Sequence, residues 1–564
     1  MYKFDVTKLV NNEIRFALEY HEATKHSEIS IQTSGHYLDW DNKPRPFKIY
    51  TKLPSIPLPQ DFCKPSLDAI TSISKIDSIA ESTAKTTTTT TTTSAVDIKK
   101  LAEILFFSAG ITREMNYPYG TYYMRAASAT GALYPIELYV VCQDIPGLRA
   151  GVYHFCPGDF TLTELRSGDY RAKLSAAAGE SENIMASPIT IIFSSIAWRN
   201  AWKYQARSYR HWFWDSGVIA ANLLGTTVSN NIKSFLIMGF VDEIVNRLLL
   251  LDDKREAAIA MAAIGIGLSK NQVESNSKET ISSSSSLPSP EVLPLSKKAE
   301  VEYPEIWRMH QASSLSNIQE VKQWSNSASS FKKQDQTSKT EILNSQPLQY
   351  GEPSLSSFQP GLGDIILLRG SSRRFARKSI SFMQLSTILH ASTRGIPLDF
   401  LGQEGDRTAI DVYMIVNNVE GLERGSYFFN RSAGSLEQLK RNVPRNMSGY
   451  LCLGQNLFSD ASIVFFLMTD LLEVLSTYGN RGYRAAQFEA GIIAGKIYLS
   501  SYAQQLGASG STFFDDAVSE FFSPHAKDKS TMIAVGVGIT GYKARSGKII
   551  VGTLSKSQII KESL

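Results

Sequence analysis

The two halves of this 564-residue chain are related by an internal repeat, which restricts the fold more than any other feature. For many first-half residues, adding 274 to the residue number gives the same residue type in the second half. No gap is needed over a stretch of about a hundred positions. The matching pairs include Tyr139 and Tyr413, Gly151 and Gly425, Tyr204 and Tyr478, Arg207 and Arg481, Arg210 and Arg484, Gly217 and Gly491, and Phe240 and Phe514. The chain is therefore predicted to contain two copies of one domain.

Length and charge agree with two domains and exclude several classes of partner. The chain is long enough for two domains of more than about 200 residues each, together with linkers. Lys and Arg number 58 against 54 Asp and Glu, and a net charge of +4 indicates neither a nucleic acid nor an anionic membrane as partner. No apolar run approaches the roughly 18 residues of a spanning helix, and the N-terminus lacks a signal-peptide pattern. We therefore expect a cytoplasmic protein.

The residues that commonly bind metals are not arranged as a metal site. The four cysteines have no metal-ligand spacing and are interpreted as free thiols of a reducing compartment: Cys63, Cys142, Cys156 and Cys452. His21, His26 and His36 fit no helical pair and have no cysteine partner. A structural role for the N-terminal segment is therefore favoured over metal binding.

Low-complexity tracts divide the chain. One runs from about residue 70 to 94 and includes eight consecutive threonines, Thr86 to Thr93. Another runs from about 269 to 347 and is rich in Ser, Lys, Gln and Glu, although Trp307 and Trp324 suggest short docked pieces. The predicted organisation is an N-terminal arm (1–60), a first domain (61–268), a linker (269–350) and a second domain (351–564).

The pattern within each copy predicts an α+β fold. Short β-rich runs such as Leu138–Cys142 and Val412–Val416 precede long helices, predicted from Tyr204 to Ser229 and from Tyr478 to Leu506. Strand and helix do not alternate regularly, which argues against a doubly wound sheet. Gly536 to Gly541 has the spacing of a dinucleotide fingerprint but leads into a strand-like run, without the helix that would hold a pyrophosphate, so this interpretation is rejected.

Two motifs occur in one copy each. The first half contains Arg125-Ala-Ala-Ser-Ala-Thr-Gly-Ala-Leu-Tyr-Pro135 and the second contains Arg369-Gly-Ser-Ser-Arg-Arg-Phe375. With Lys203-Tyr204 and the matched Arg and Tyr positions, this constellation resembles the nitroreductase-like flavoproteins. Within that family it is most similar to the SagB-type branch, which includes the thiazole/oxazole dehydrogenases of ribosomal-peptide modification. The similarity covers about residues 101–268 and 362–542.

The resemblance implies an α+β fold that normally forms a homodimer, with flavin mononucleotide (FMN) in the interface and contacted by both subunits. The residues it assigns to the phosphate are Arg369, Gly370, Ser371 and Arg373, and Lys543 and Arg545 are further basic candidates. The residues it places beside the isoalloxazine ring are Arg125, Ala127, Ser128, Ala129 and Gly131, with Ala127 where the family usually has proline.

The residue types suit these roles. Guanidinium and hydroxyl groups are good ligands for a phosphate dianion, and Gly370 lets the backbone approach it. The small residues of the first-half loop allow that loop to lie flat against a ring. An exposed basic turn and an ordinary tight turn are the structural alternatives for the two motifs.

Each copy lacks what the other retains. Upstream of the loop the helices align with an offset of 284, so Arg369 and Arg373 stand opposite Lys85 and Thr89 of the first copy. The second-copy counterparts of Arg125, Ser128, Tyr134 and Pro135 are Asp399, Gly402, Thr408 and Ala409, with Glu404 and Asp406 added. We therefore predict that the two domains pair within one chain, in place of a homodimer, and share a single FMN.

Catalysis is predicted at Lys203-Tyr204. The resemblance implies a role in substrate deprotonation for a Lys-Tyr pair at this place, and the second copy has Thr477-Tyr478 instead. Burial beside a cation such as Arg207 would lower the pKa of Lys203 and suit a general base. A solvated lysine beside a packed tyrosine is the structural alternative.

Three functions stay open at this stage. The first is an FMN-dependent dehydrogenase that oxidises azoline rings or a related amino-acid-derived substrate, small or peptidic, with a peptide-modifying enzyme as a candidate partner. The second is an NAD(P)H-dependent reductase of nitro or quinone compounds. The third is a non-enzymatic scaffold that holds flavin or a partner. Lys203-Tyr204 favours the first over the second, and the retention of one complementary set of motifs disfavours the third.

Overall fold

The computed structural model describes residues 11–75, 96–117, 120–268, 290–329, 331, 342–349, 360–402, 407–552 and 554–561. The polythreonine tract, with Lys85 and Thr89, and the acidic positions Glu404 and Asp406 lie outside these ranges. Within them, no helix combines the length and the apolar character needed to cross a membrane.

Two seven-stranded antiparallel sheets form the framework, one in each half. The first-half strands are β1 (Ser55–Pro57), β2 (Ile111–Tyr117), β3 (Gly120–Arg125), β4 (Ile136–Cys142), β5 (Gly151–Cys156), β6 (Thr161–Ser167), β7 (Ile189–Ile196), β8 (Ser234–Ile237) and β9 (Glu256–Ile264). The second-half strands are β10 (Asn344–Pro347), β11 (Asp411–Val416), β12 (Gly425–Asn430), β13 (Ser435–Arg441), β14 (Ile463–Asp470), β15 (Gly507–Ser511) and β16 (Lys529–Gly538). The orders β1-β6-β5-β4-β7-β9-β8 and β10-β13-β12-β11-β14-β16-β15 correspond strand for strand, while β2 and β3 form a separate hairpin. The predicted α+β fold and duplication are confirmed.

Helices surround the sheets and join the two bodies. Those before the linker are α1 (Arg15–Ala23), α2 (Glu28–Gln32), α3 (Ala69–Ser74), α4 (Ile98–Ala109), α5 (Arg171–Ala177), α6 (Glu182–Met185), α7 (Ala197–Tyr204), α8 (Ser208–Ser229) and α9 (Asp242–Leu248). The others are α10 (Pro304–Ala312), α11 (Ile318–Asn326), α12 (Leu362–Leu368), α13 (Phe382–Ser392), α14 (Arg445–Leu451), α15 (Asn456–Asp460), α16 (Leu471–Tyr478), α17 (Asn480–Ala503), α18 (Asp515–Phe522) and α19 (Lys556–Lys561).

The long helices α8 and α17 pack against each other at the centre of the molecule. A Cβ on Gly217 would lie 2.5 Å from the carbonyl oxygen of Phe488, and one on Gly491 would lie 2.7 Å from that of Trp214. Only glycine allows so close an approach of two backbones, and the two glycines are repeat partners. One apolar core runs through both bodies, so the chain forms an intramolecular pseudo-dimer.

The prediction that Tyr204 begins the long helix of the first copy is wrong. Tyr204 ends α7, and α8 begins only at Ser208, because Gln205 between them has a φ of +50°. At the matching position of the second copy, Gly479 has a φ of +66° and separates α16 from α17. A left-handed residue ends a helix, and Gly479 was the sequence signal for this break.

Segments outside the two domains predicted from the sequence also build the bodies. Strand β1, in the predicted arm, pairs with β6, and β10, in the predicted linker, pairs with β13. Helices α10 and α11 dock against the core through Trp307 and Trp324. The arm reaches across to the second body, where the side chain of Asn11 accepts a 2.7 Å hydrogen bond from the backbone N–H of Arg481.

Candidate active site

The two motifs singled out in the sequence meet in the structure. Arg369 is buried just after α12, and its guanidinium donates to the carbonyl oxygens of Ala126 at 3.1 Å and Arg125 at 2.9 Å. The second-half segment is therefore tied directly to the first-half loop. We call the region formed by the loop Arg125–Pro135, the segment Arg369–Phe375 and Lys203-Tyr204 the open site.

The first-half loop has a strained backbone beside a cleft. Ala132 and Tyr134 adopt left-handed conformations, with φ of 54° and 50°. Gly131 has a φ of 63°, and a Cβ there would lie 2.7 Å from the hydroxyl of Tyr204. A small cleft adjoins this loop. Its lining residues are Ala109, Arg125, Ala127, Ser128, Ala129, Tyr134, Pro135, Ile136, Asp215 and Ile219.

Arg125 lines the cleft, but its guanidinium faces the protein. It donates to the carbonyl oxygen of Pro46 and lies 4.7 Å from the ring centroid of Tyr134 and 5.7 Å from that of Phe47. Burial lowers the pKa of Arg125 to about 10, which leaves it charged at neutral pH. The side chain therefore stiffens the loop, and the backbone carbonyl meets Arg369.

Asp215 is a residue of this cleft that the sequence reasoning missed. Its Oδ1 accepts hydrogen bonds from the backbone N–H of Thr130 at 2.8 Å and from the Thr130 hydroxyl at 2.7 Å. Burial raises the pKa of Asp215 to about 7. The repeat offered a signal, because Glu489 at the matching position accepts from the backbone N–H of Ala409 at 3.0 Å in the second body.

Arg113 is a second missed residue, supplied by the β2–β3 hairpin. Its Nη2 donates to the carbonyl oxygens of Leu367 and Leu368, both at 2.9 Å, while its buried Nε has no hydrogen-bond partner within the described part of the chain. A Cβ on Gly370 would lie 3.4 Å from Arg113 Nη1 and 3.5 Å from the hydroxyl of Tyr502. Arg113 thus brings another guanidinium beside the predicted phosphate segment.

The rest of that segment presents further donors. The Ser371 hydroxyl lies 3.4 Å from that of Tyr498, and the backbone N–H of Arg373 donates to the hydroxyl of Tyr542 at 3.3 Å. The side chain of Arg373 is exposed, and Phe375 anchors the end of the segment in the core of the second body. Guanidinium and hydroxyl groups converging on a glycine backbone are a donor set that fits a phosphate dianion.

Lys203 and Tyr204 end α7 beside the loop. The Lys203 ammonium lies 5.3 Å from the ring centroid of Tyr204, and the Tyr204 ring packs edge-on against His211 at 4.5 Å. Partial burial, Arg373 and Lys43 lower the pKa of Lys203. Burial and the charge of Asp215 raise the pKa of Tyr204.

The cation expected to act on Lys203 was Arg207, which has another role. Arg207 donates to Asp515 at 2.9 Å, and Arg210 donates to the same carboxylate at 2.7 Å. In the mirror arrangement, Arg481 and Arg484 bind Asp242. These repeat-matched arginines therefore hold the two bodies together, since each pair binds a carboxylate of the other body.

The remaining predicted cofactor residues, Lys543 and Arg545, are exposed on the segment after β16. That segment continues over the base of the hairpin, where the backbone N–H of Lys548 donates to Thr112 at 2.9 Å. The structure thus puts them on the second body near the hairpin, without a contact that fixes their side chains among the described residues.

The equivalent region around Tyr478 is filled by aromatic side chains, and we call it the plugged site. Trp324, Phe331 and Phe400 lie 5.6, 5.5 and 5.6 Å from the ring centroid of Tyr478. Asp399 accepts hydrogen bonds from the backbone N–H groups of residues 238 and 239 at 2.9 and 2.8 Å. Linker and loop residues thus occupy the pseudo-twofold counterpart of the open site.

The N-terminal histidines contact different parts of the protein. His21 Nδ1 lies 3.3 Å from the hydroxyl of Tyr483, and His36 Nε2 lies 3.1 Å from the carbonyl oxygen of Trp202. The backbone N–H of His26 donates to the carboxylate of Asp515, and the carbonyl oxygen of His26 accepts from the backbone N–H of Asp515. Within the described ranges, no group of three His, Cys, Asp or Glu side chains could hold a metal ion.

Comparisons with known proteins agree with this architecture. Residues 366–539 match the model of the Nitroreductase family. A crystal structure from Anabaena variabilis, described as that of a nitroreductase, has 26% sequence identity and a TM-score of 0.69, covering 93% of this chain and 99% of its own. That structure therefore contains both bodies.

Two curated relatives match part of the chain. A protein of Methanocaldococcus jannaschii named as a nitroreductase is 24% identical over 160 residues, which is 28% of this chain and 77% of the relative. The microcin B17-processing protein McbC of Escherichia coli is 21% identical over 209 residues, which is 36% of this chain and 74% of McbC. These findings show a nitroreductase-family match over residues 366–539 and a similarity of both bodies to nitroreductase-like oxidoreductases.

Proposed function

We propose that this protein is an FMN-dependent oxidoreductase of the SagB type that dehydrogenates azoline rings or a related amino-acid-derived substrate, with one FMN shared between its two bodies. The observation that carries the proposal is the contact of Arg369 with the loop carbonyls of Arg125 and Ala126. It joins the phosphate-type segment and the ring-type loop in one place, the open site.

The open site fits the cofactor in its donor set. Arg369, Arg373, Arg113 and Ser371 would hold the phosphate, and Nη1 of Arg113 faces the Gly370 backbone. The loop from Ala127 to Ala129 would lie against the ring. FMN, when bound, supplies a hydride acceptor, and the protein supplies position and proton management.

In this proposal Lys203 removes a proton from the substrate. A neutral amine is required for that step, and partial burial together with the nearby cations Arg373 and Lys43 favours the neutral form. Tyr204 lies against Gly131 of the same loop, and the rise in its pKa keeps its hydroxyl protonated. The pair therefore offers one proton acceptor and one hydrogen-bond donor.

A peptide as substrate, and a peptide-modifying partner enzyme, form part of the proposal. The matched relative McbC is by name a microcin B17-processing protein, which supports a peptide over a small quinone. The four cysteines are free thiols, and three of them are buried, which supports a cytoplasmic location.

Flavin content per polypeptide tests the central claim. The purified protein, saturated with FMN and freed of excess, should contain one equivalent by absorbance after denaturation. Two equivalents would contradict the shared site, and none would leave only a scaffold role.

Anaerobic mixing then distinguishes the two enzymatic functions. Bleaching of the flavin by an azoline-containing peptide, but not by NADPH, is the expected result. Rapid bleaching by NADPH alone would indicate the nitro or quinone reductase instead. Oxygen should restore the yellow absorption after the peptide has been oxidised.

A further inference from the structure

Exposed and half-buried side chains extend from the β2–β3 hairpin across the arm to the end of α7, where Lys203 lies. The ammonium of Lys43 lies 4.3 Å from the ring centroid of Tyr122 on the hairpin and 5.8 Å from that of Trp40. Trp40 in turn packs edge-on against Trp202 at 5.3 Å, and Trp202 directly precedes Lys203. We call Trp40, Lys43, Tyr122, Lys203 and Arg373 the aromatic–basic surface. Arg373 is included because its charge contributes to the lowered pKa of Lys203.

Except for Arg373, the parts of this surface belong to the first half of the chain, which supplies the loop and Lys203 of the open site. The offset between the copies changes from 284 before the loop to 274 after it, so the first copy is ten residues longer there, and the hairpin lies in that stretch. At the repeat positions of Trp202 and Lys203, the second copy has Ser476 and Thr477. The addition therefore accompanies the complete site.

Among the described residues, the three cations of this surface form no ion pair: no carboxylate pairs with Lys43, Lys203 or Arg373. Of the two acidic residues that flank Trp40, Asp39 pairs with Lys298 at 2.9 Å and Asp41 is exposed. The Trp40 side chain is 62% exposed although it is large and aromatic. Cations and an exposed ring side by side are complementary to a ligand that carries carboxylates.

We propose that the aromatic–basic surface binds an acidic segment of a peptide substrate and guides the adjoining residue to Lys203. The inference rests on the proposed function, since it names the substrate class of the same site. An extended peptide fits better than a compact molecule, because the surface joins Tyr122 of the hairpin and Lys43 of the arm to Lys203 at the end of α7.

Fluorescence anisotropy on the full-length, FMN-loaded protein tests this inference. The probes are two fluorescein-labelled, capped peptides of equal length, one rich in Glu and one with Lys in place of each Glu. The acidic peptide should bind about tenfold more tightly at low ionic strength, and the difference should shrink in high salt. The double variant Trp40→Ala/Lys43→Glu should weaken the acidic peptide about tenfold.

A matched control is Leu472→Ala/Lys527→Glu, which changes an exposed apolar side chain and an exposed lysine of the second body. It should bind the acidic peptide as the wild type does, with circular dichroism unchanged in both variants. Equal affinity for the two peptides, or unchanged affinity in Trp40→Ala/Lys43→Glu, would overturn the inference. NADPH binding that Trp40→Ala/Lys43→Glu abolishes, without acidic-peptide binding, would also overturn it.

Flavin content measured on the same samples separates this inference from the proposed function. Selective acidic-peptide binding by a protein that takes up no FMN would reject the function and leave the surface. One FMN per chain with no peptide selectivity would reject the surface and leave the function.

Discussion

The open site and the plugged site are equivalent places in one pseudo-dimer, and they differ in the cationic groups that the proposed chemistry would need. The open site has Lys203 before its tyrosine and the Arg369 segment against its loop. The plugged site has Thr477 before its tyrosine, and Trp324 packs on Tyr478. Yet the interface arginines and the helix-crossing glycines are the same in both halves. The two halves thus keep the same interface, while only one of the two equivalent places retains both motifs.

The strongest test of the difference removes two of the proposed phosphate ligands. Arg369→Ala/Arg373→Ala should weaken FMN binding about 10²- to 10⁴-fold, because each charge-assisted hydrogen bond contributes roughly 1.5–3 kcal/mol. The measurement is fluorescence titration with FMN. Arg377→Ala, which removes an exposed arginine paired with Asp460, is the control and should bind FMN normally. Full flavin retention in the double variant would place the cofactor elsewhere.

The catalytic difference is tested at Lys203. Lys203→Ala should slow azoline oxidation by about 10²- to 10³-fold while flavin content stays at one per chain, since general bases contribute factors of this size. In the wild type the rate should rise with pH toward the lowered pKa of Lys203, because only the neutral amine accepts a proton. Thr477→Ala in the plugged site should leave the rate unchanged, and unchanged turnover in Lys203→Ala would reject its role.

Removing the plug tests whether it is structural only. Trp324 is 3% exposed, so Trp324→Ala should reduce the free energy of unfolding by about 3–5 kcal/mol. Denaturant titration measures the loss. Because the second-half loop lacks the counterparts of Arg125 and Ser128, flavin content should stay at one per chain. A second bound FMN in this variant would mean that the plug alone had closed a competent site.

Asp215 should make stability depend on pH in the open half. Its pKa is raised to about 7 in the folded protein, so its stabilising contribution is complete below the unfolded value near 3.8 and is lost as the pH rises toward 7. Relative to Asp215→Asn, the wild type should lose about 2–3 kcal/mol of unfolding free energy between about pH 5 and pH 8.

Asp399 in the plugged half has its pKa raised to about 6 by burial, so Asp399→Asn should show the same sign with a smaller change. Parallel stability curves for wild type and Asp215→Asn across this range would show that the buried carboxyl does not titrate as inferred.

The smallest expected effect concerns the part that the halves share. Gly217→Ala and Gly491→Ala each force a methyl group against the backbone of the opposite helix and should cost about 1–3 kcal/mol of stability, by similar amounts. Thermal denaturation of both variants makes the comparison. A large cost at one glycine and none at the other would mean that the interface is as asymmetric as the sites.

The sequence alone determined the duplication, the α+β class and most strands. Ungapped repeat partners such as Gly217 and Gly491 are visible without a structure, and apolar runs such as Ile189–Ser195 predict buried strands. The motifs Arg125–Pro135 and Arg369–Phe375 could also be recognised, because their residue types suit a flat ring and a phosphate. These features depend on local pattern, which a linear chain displays directly.

Only the tertiary structure decided which residues face each other across the bodies. Arg207 binds Asp515 and does not contact Lys203, and Arg113 lies beside Gly370. Asp215 accepts hydrogen bonds from Thr130, and Trp324 packs on Tyr478. The partners in these contacts are mostly far apart in the chain, and the pairing depends on where whole helices and loops pack. Burial and distance also set the pKa values of groups such as Asp215, and neither can be read from the sequence residue by residue.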